Sequence, residues 1–120
     1  MSTYTKYTFS SSGSGRGIKV VASGSPGTTI HTVSSAATNY DEIYLYAYNG
    51  HTANVILTIE LGGSTVPDDN IVITVPFKQG LYLIVPGLII QGNASPVSVT
   101  AYANVANVIS ITGWVNRISA

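Results

Sequence analysis

The chain has 120 residues, room for one domain and too little for two, and its 5 basic residues balance its 5 acidic ones. Charged residues make up only 8% of it, so no basic surface exists to neutralise a run of phosphates, and a nucleic-acid partner is not expected. Cysteine is absent, which excludes disulfide frameworks, thiolate zinc sites and cysteine nucleophiles.

With 45% hydrophobic residues the chain is too apolar for a disordered tail. The apolar runs Leu81 to Val85 and Leu88 to Ile90 are strand-sized, well short of the ~18 residues a membrane helix needs, so no membrane partner is expected. The N-terminal stretch MSTYTKYTFSSSGSG has no apolar centre, so neither a signal peptide nor a secretory route is expected. Val, Ile and Thr occur 13 times each and Tyr 8 times, while Glu, Lys and Met are scarce. β-Branched and aromatic residues fit a pleated, half-buried surface, and the composition predicts an all-β domain.

In chain order, residues 1–17 read as an N-terminal arm and residues 18–120 as the β-domain. Ser10 to Gly17 has flexible-linker composition, preceded by the aromatics Tyr4, Tyr7 and Phe9. The segment is either a frayed terminus or an arm that docks on a neighbouring chain, with those three aromatics as its anchors. Strands are then predicted over Ile18–Ala22, Thr28–Val33, Ile43–Tyr48, Ala53–Leu61, Ile71–Val75, Leu81–Val85, Val97–Ala103 and Val108–Val115, with Leu88–Ile90 as a further short candidate. Gly, Pro, Asn and Asp punctuate the intervals. About eight short strands of this kind predict a single antiparallel β-sandwich or jelly roll. Asn49-Gly50 is a type I′ turn signal, so the strands on either side are expected to form a hairpin. A one-residue bulge would align Leu45 with Val55, giving one apolar face and one face of Tyr44, Tyr46 and Tyr48.

The chemistry-bearing residues are few. No Gly-x-Ser-x-Gly elbow and no His-Glu-x-x-His are present, and the glycines near residue 13 neither open a helix nor end in a phosphate-cradling Lys. His31 and His51 read as ordinary structural or exposed histidines, and Asp41-Glu42 as a solvated strand entrance. Asp68-Asp69-Asn70 follows Pro67 and reads as a turn, with a Ca²⁺ loop as the minor alternative because the acid spacing and glycine of an EF-hand are missing. No catalytic residue, metal site or cofactor is therefore assigned. The row Tyr44, Tyr46, Tyr48 has three readings, in order: packing on a partner, core, and sugar stacking. Ten charges cannot cover the surface of so small a domain, which favours self-association.

The phrases DEIYLYAYNGHTANVILTIELGG, GLYLIVPGLIIQGN and VTAYANVANVISITGWVNRI, within residues 28 to 118, resemble small virion proteins of tailed bacteriophages. The likeness is greatest to the head decoration, or cement, proteins. It implies a non-enzymatic β-sandwich or jelly roll, often trimeric, bound to the major capsid protein on the outer capsid surface after synthesis in the host cytoplasm. It also implies an arm reaching over capsid subunits, which residues 1–17 would suit. The rival readings are another virion position, such as the head-tail junction or a fibre base, and a carbohydrate-binding β-sandwich.

Overall fold

The computed structural model describes residues 2–119 and contains nine strands and no helix among them. They are β1 (Thr3–Tyr7), β2 (Ile18–Lys19), β3 (Thr28–Thr32), β4 (Asn39–Asn49), β5 (Val55–Leu61), β6 (Asn70–Val75), β7 (Tyr82–Gln91), β8 (Ser98–Ala103) and β9 (Ile109–Ser119). One sheet runs β1-β9-β4-β7, with β2 also paired to β9, and the other runs β3-β8-β5-β6, all antiparallel. Apart from the β1–β2 and β5–β6 steps, successive strands alternate between the sheets. The order β2-β9-β4-β7 facing β3-β8-β5-β6 is that of a jelly roll, the β-sandwich architecture built of two Greek keys.

β4 shows how the sequence sorts the layers. Asp41, Ile43, Leu45, Ala47 and Asn49 are buried, while Tyr40, Glu42, Tyr44, Tyr46 and Tyr48 between them point to the outer face. Ile30, Leu57, Ile59, Val75, Val85, Val99, Ile109, Ile111 and Val115 complete the core from both sheets. β7 joins the two predicted segments into one strand through Pro86 and Gly87. It can do so because it lies at a sheet edge, where proline is tolerated, and the ladder to β4 shifts register before Tyr44 and after Leu45.

Two expectations are corrected. The hairpin at Asn49-Gly50 does not form: β4 and β5 belong to opposite sheets, so Leu45 is opposite Gly113 and Val85 instead of Val55. Asn49 is buried at this corner, where its amide donates to the carbonyls of Ala53 (3.0 Å) and Val75 (2.9 Å) and its oxygen accepts from the His51 N–H. It turns the chain across the sandwich instead of back along one sheet.

The second correction concerns the arm. Residues 3–7 form β1 along the far half of β9, in line with β2 along its near half, so the segment is the first strand of the sheet interrupted by a loop. Phe9 is no exposed anchor but a core residue, 2% exposed. Its ring fills space left by Gly113 at an inward position of β9, where φ is +148° and a Cβ would collide with the Tyr44 carbonyl. The Ser/Gly run is tied down as well: Ser11 N–H donates to the Ile30 carbonyl (3.2 Å), and the Ser10 hydroxyl accepts from Thr32 N–H (2.7 Å).

Candidate functional site

Two regions carry more chemistry than sandwich packing requires. The first is the outer face of the β1-β9-β4-β7 sheet. Antiparallel partners present side chains on the same face, so the register defines the surface. Tyr4, Ile118 and Tyr40 form one row, Lys6, Asn116, Glu42 and Ile89 the next, then Trp114, Tyr44 and Pro86, then Thr112, Tyr46 and Leu83, and last Lys19, Ser110 and Tyr48. In the centre the aromatics pack on each other. Tyr44 stacks on Trp114 with ring centroids 4.7 Å apart and planes at 15°, and Tyr46 lies 6.1 Å from the same indole. Lys6 comes from the β1 side and places its ammonium 5.6 Å from the indole centroid. The Glu42 carboxylate next to Tyr44 raises that phenol's pKa, and it accepts from the Asn116 amide (3.2 Å). Around this half-buried centre Tyr4, Tyr40, Tyr48, Leu83 and Ile89 remain exposed.

The second region is one end of the sandwich, where a cavity of about 450 Å³ opens between the sheets. Tyr7, Ser10, His31, Thr32, Ser34 and Arg117 line it. Asp41, with no exposed surface, lies under it and gathers partners from both sheets. Arg117 of β9 donates through Nε to Oδ1 (2.7 Å) and through Nη2 to Oδ2 (2.8 Å), the bidentate geometry of a guanidinium–carboxylate pair. His31 of β3 reaches Oδ2 through Nε2 at 2.9 Å. The other imidazole nitrogen, Nδ1, accepts from Ser10 N–H at 3.1 Å. That acceptor role places the ring proton on Nε2, directed at the carboxylate, and describes a neutral imidazole. Burial by itself would raise the pKa of Asp41. The hydrogen bonds from Arg117 and His31 and the guanidinium's charge outweigh burial and hold the carboxyl at about 2.

This cluster is a clasp. It joins β3 to β4 across the sandwich and ties both to β9 and to the loop after β1. Both ring nitrogens of His31 are engaged, and the Ser10 hydroxyl is bonded to Thr32 instead of to the imidazole, so the groups do not form a nucleophile and its base. Tyr7 lies at the cavity mouth, with its ring 4.9 Å from the Arg117 guanidinium.

The six aromatics singled out in the sequence thus separate. Tyr4, Tyr44, Tyr46 and Tyr48 share the outer face, Tyr7 belongs to the cavity, and Phe9 to the core. Trp114, central to the outer face, was missed. Its signal was parity, because it alternates with the buried Ile111, Val115 side of β9. Asp41 was misread as a solvated entrance although it shares the inward parity of Ile43 and Leu45. His31, read as an ordinary histidine, is a buried member of the clasp. The Asp68-Asp69-Asn70 loop is a turn closed on itself: Asp69 accepts from Thr65 N–H at 3.0 Å and donates its own N–H back to the Thr65 carbonyl at 2.8 Å. Among the described residues no three His, Asp or Glu side chains converge to hold a metal ion.

A second buried carboxylate, Glu60 of β5, lies on the outer side of the other sheet. It accepts from the hydroxyls of Ser25 (2.6 Å) and Thr100 (2.6 Å) and from Gly27 N–H (2.9 Å), and among the described residues no cation pairs with it. Burial works to raise its pKa, and these three donors bring it below the ordinary value.

Comparisons of the chain with protein-family models, with curated proteins and with solved structures gave no match.

Proposed function

We propose that this protein is a non-enzymatic structural component of a tailed-phage particle, binding the outside of the assembled capsid through the outer face of its β1-β9-β4-β7 sheet. The observation that carries the reading is that face. Tyr4, Tyr40, Tyr48, Leu83 and Ile89 stand exposed around a centre of Trp114, Tyr44 and Tyr46, with Lys6, Lys19 and Glu42 as the charges of the face. Exposed aromatic and apolar surface of this kind marks protein interfaces. The capsid as partner is supported by the resemblance of the strand phrases within residues 28 to 118. A chain that binds only the assembled lattice stabilises it by mass action, and copies that also hold each other add multivalency.

The same face argues against sugar stacking as its main use. A sugar platform needs ring faces turned to solvent, whereas Tyr44 and Trp114 each spend one on the other and the Lys6 ammonium lies 5.6 Å from the indole centroid. The test is Tyr46→Ser. Occupancy on particles lacking the protein should fall, by about tenfold if the ring contributes ~1.4 kcal/mol at the interface, with a melting temperature close to that of the parent. Unchanged occupancy, or glycan-array binding that the substitution abolishes, would overturn the reading.

A further inference from the structure

The four sheet edges are not treated alike. β7 carries Pro86 and two register shifts. The opposite edge of that sheet is broken into β1 and β2, each with a lysine, Lys6 and Lys19. β3 is short and bulged, and neighbouring segments cover it: Ser11 N–H takes the Ile30 carbonyl, the Ser10 hydroxyl takes Thr32 N–H, and Thr28 Oγ1 takes the N–H groups of Val21 and Ala22. These are the devices that keep an edge from pairing with another chain.

β6 has none of them. Its six residues, Asn70-Ile71-Val72-Ile73-Thr74-Val75, contain no charge and no proline, and they run against β5 without a bulge. Among the described residues, Ile71 to Thr74 have no hydrogen-bond partner besides β5. Val72 is 62% exposed and Ile56 beside it 48%, both on the outer face. Ile71 and Ile73 are only half covered by the core beneath. An uncharged, straight, β-branched edge is a template for one more strand.

We propose that this edge is an interaction surface whose occupant is β6 of a second copy, paired antiparallel about a two-fold axis so that the two four-stranded sheets become one of eight. Charge selects this occupant and direction. Asp68 and Asp69 precede the strand and Lys78 follows it, all outside the uncharged stretch. Antiparallel self-pairing brings the acidic end of each copy to the Lys78 end of the other, whereas parallel pairing brings acid to acid. With the axis through Ile73, Val72 meets Thr74 on the outer face and Ile71 meets Val75 on the inner face, so every side chain keeps its side of the sheet. This contact goes beyond the capsid reading and does not depend on what the aromatic face binds.

The experiment is light scattering of the purified protein at micromolar concentration, alongside Val72→Lys, an exposed position where the fold should survive. The parent should have a mass that is an even multiple of the chain, and Val72→Lys should halve it with an unchanged melt. Hydrogen exchange should show protection of those Ile71–Thr74 amides that face the open edge rising with parent concentration. Asp68→Lys and Lys78→Asp should each weaken the pairing alone and restore it when mixed. A monomeric parent overturns the proposal, as does a mass, trimeric or other, that Val72→Lys leaves unchanged. β6 amides protected only when a capsid partner is added would assign the edge to that partner and overturn self-pairing. None of these outcomes bears on the aromatic face, which Tyr46→Ser tests separately.

Discussion

Asp41 and Glu60 are both buried carboxylates with lowered pKa values, and they are kept ionised in opposite ways. Asp41 sits between the sheets and has a countercharge: Arg117 grips it with two hydrogen bonds and His31 supplies a third. Glu60 lies outside the other sheet under the Ser25–Gly27 loop and has no countercharge among the described residues, only two hydroxyls and one amide N–H. The first arrangement puts most of the compensation in one long-range partner from β9. The second spreads it over three small donors, so that no single one is indispensable. A buried charge can thus be held by one strong pairing, which ties distant strands together, or by several weak ones, which pin a local loop.

The difference predicts a graded set of outcomes. Arg117→Met keeps the stem and removes the guanidinium, leaving Asp41 buried with His31 alone. Loss of one member of a buried pair costs ~3–5 kcal/mol, to be read from the denaturant midpoint. Acid comes next. The pKa of Asp41 falls from 3.8 to about 2 on folding, so by linkage its ionisation contributes on the order of 2 kcal/mol. Because the folded value is the lower one, that contribution is complete above about pH 4 and is lost as pH falls toward 2. Stability measured against pH should drop over this window in the parent and drop less in Asp41→Asn. The smallest effect belongs to Glu60→Gln. The amide oxygen can still accept from Gly27 and Thr100, and the new NH₂ can donate to Ser25, so the cost should be about 1 kcal/mol, one neutral hydrogen bond's worth. A Glu60→Gln loss as large as that of Arg117→Met would erase the distinction.

What was legible in the sequence was whatever alternation or punctuation encodes. The Ile-Tyr-Leu-Tyr rhythm of β4 sorted inside from outside correctly, and every strand from β2 to β9 overlaps a predicted run. The failures have one physical origin, contacts between residues far apart in sequence. Phe9 belongs to the core only because Gly113, more than a hundred positions later, leaves room for its ring. Asn49-Gly50 is a sound local hairpin signal, overridden by the Asn49 amide's bond to Val75 on another strand. Asp41, His31 and Arg117 come from three strands; Asp41 and Arg117 share the inward parity of Ile43 and Val115, whereas His31 follows the buried Ile30 and is turned inward at the β3 bulge. β1 was hidden by the opposite error, since a Ser/Gly run with linker composition proved to be hydrogen-bonded to β3.

β9 has a further consequence, for the order in which the molecule can be made. Among the described strands it is the last in chain order, yet β1 and β2 pair with it alone and β4 pairs with it along its whole length, with β7 on its other side. A nascent chain therefore has no partner for its first two strands, and no inner neighbour for β4, until residues 109–119 emerge from the ribosome. Only the β5–β6 hairpin can close from adjacent sequence. Folding on this topology is held back until β9 is available and belongs to the slow, high-contact-order class. During that wait β4, with its row of tyrosines, is the strand most in need of protection from other nascent chains.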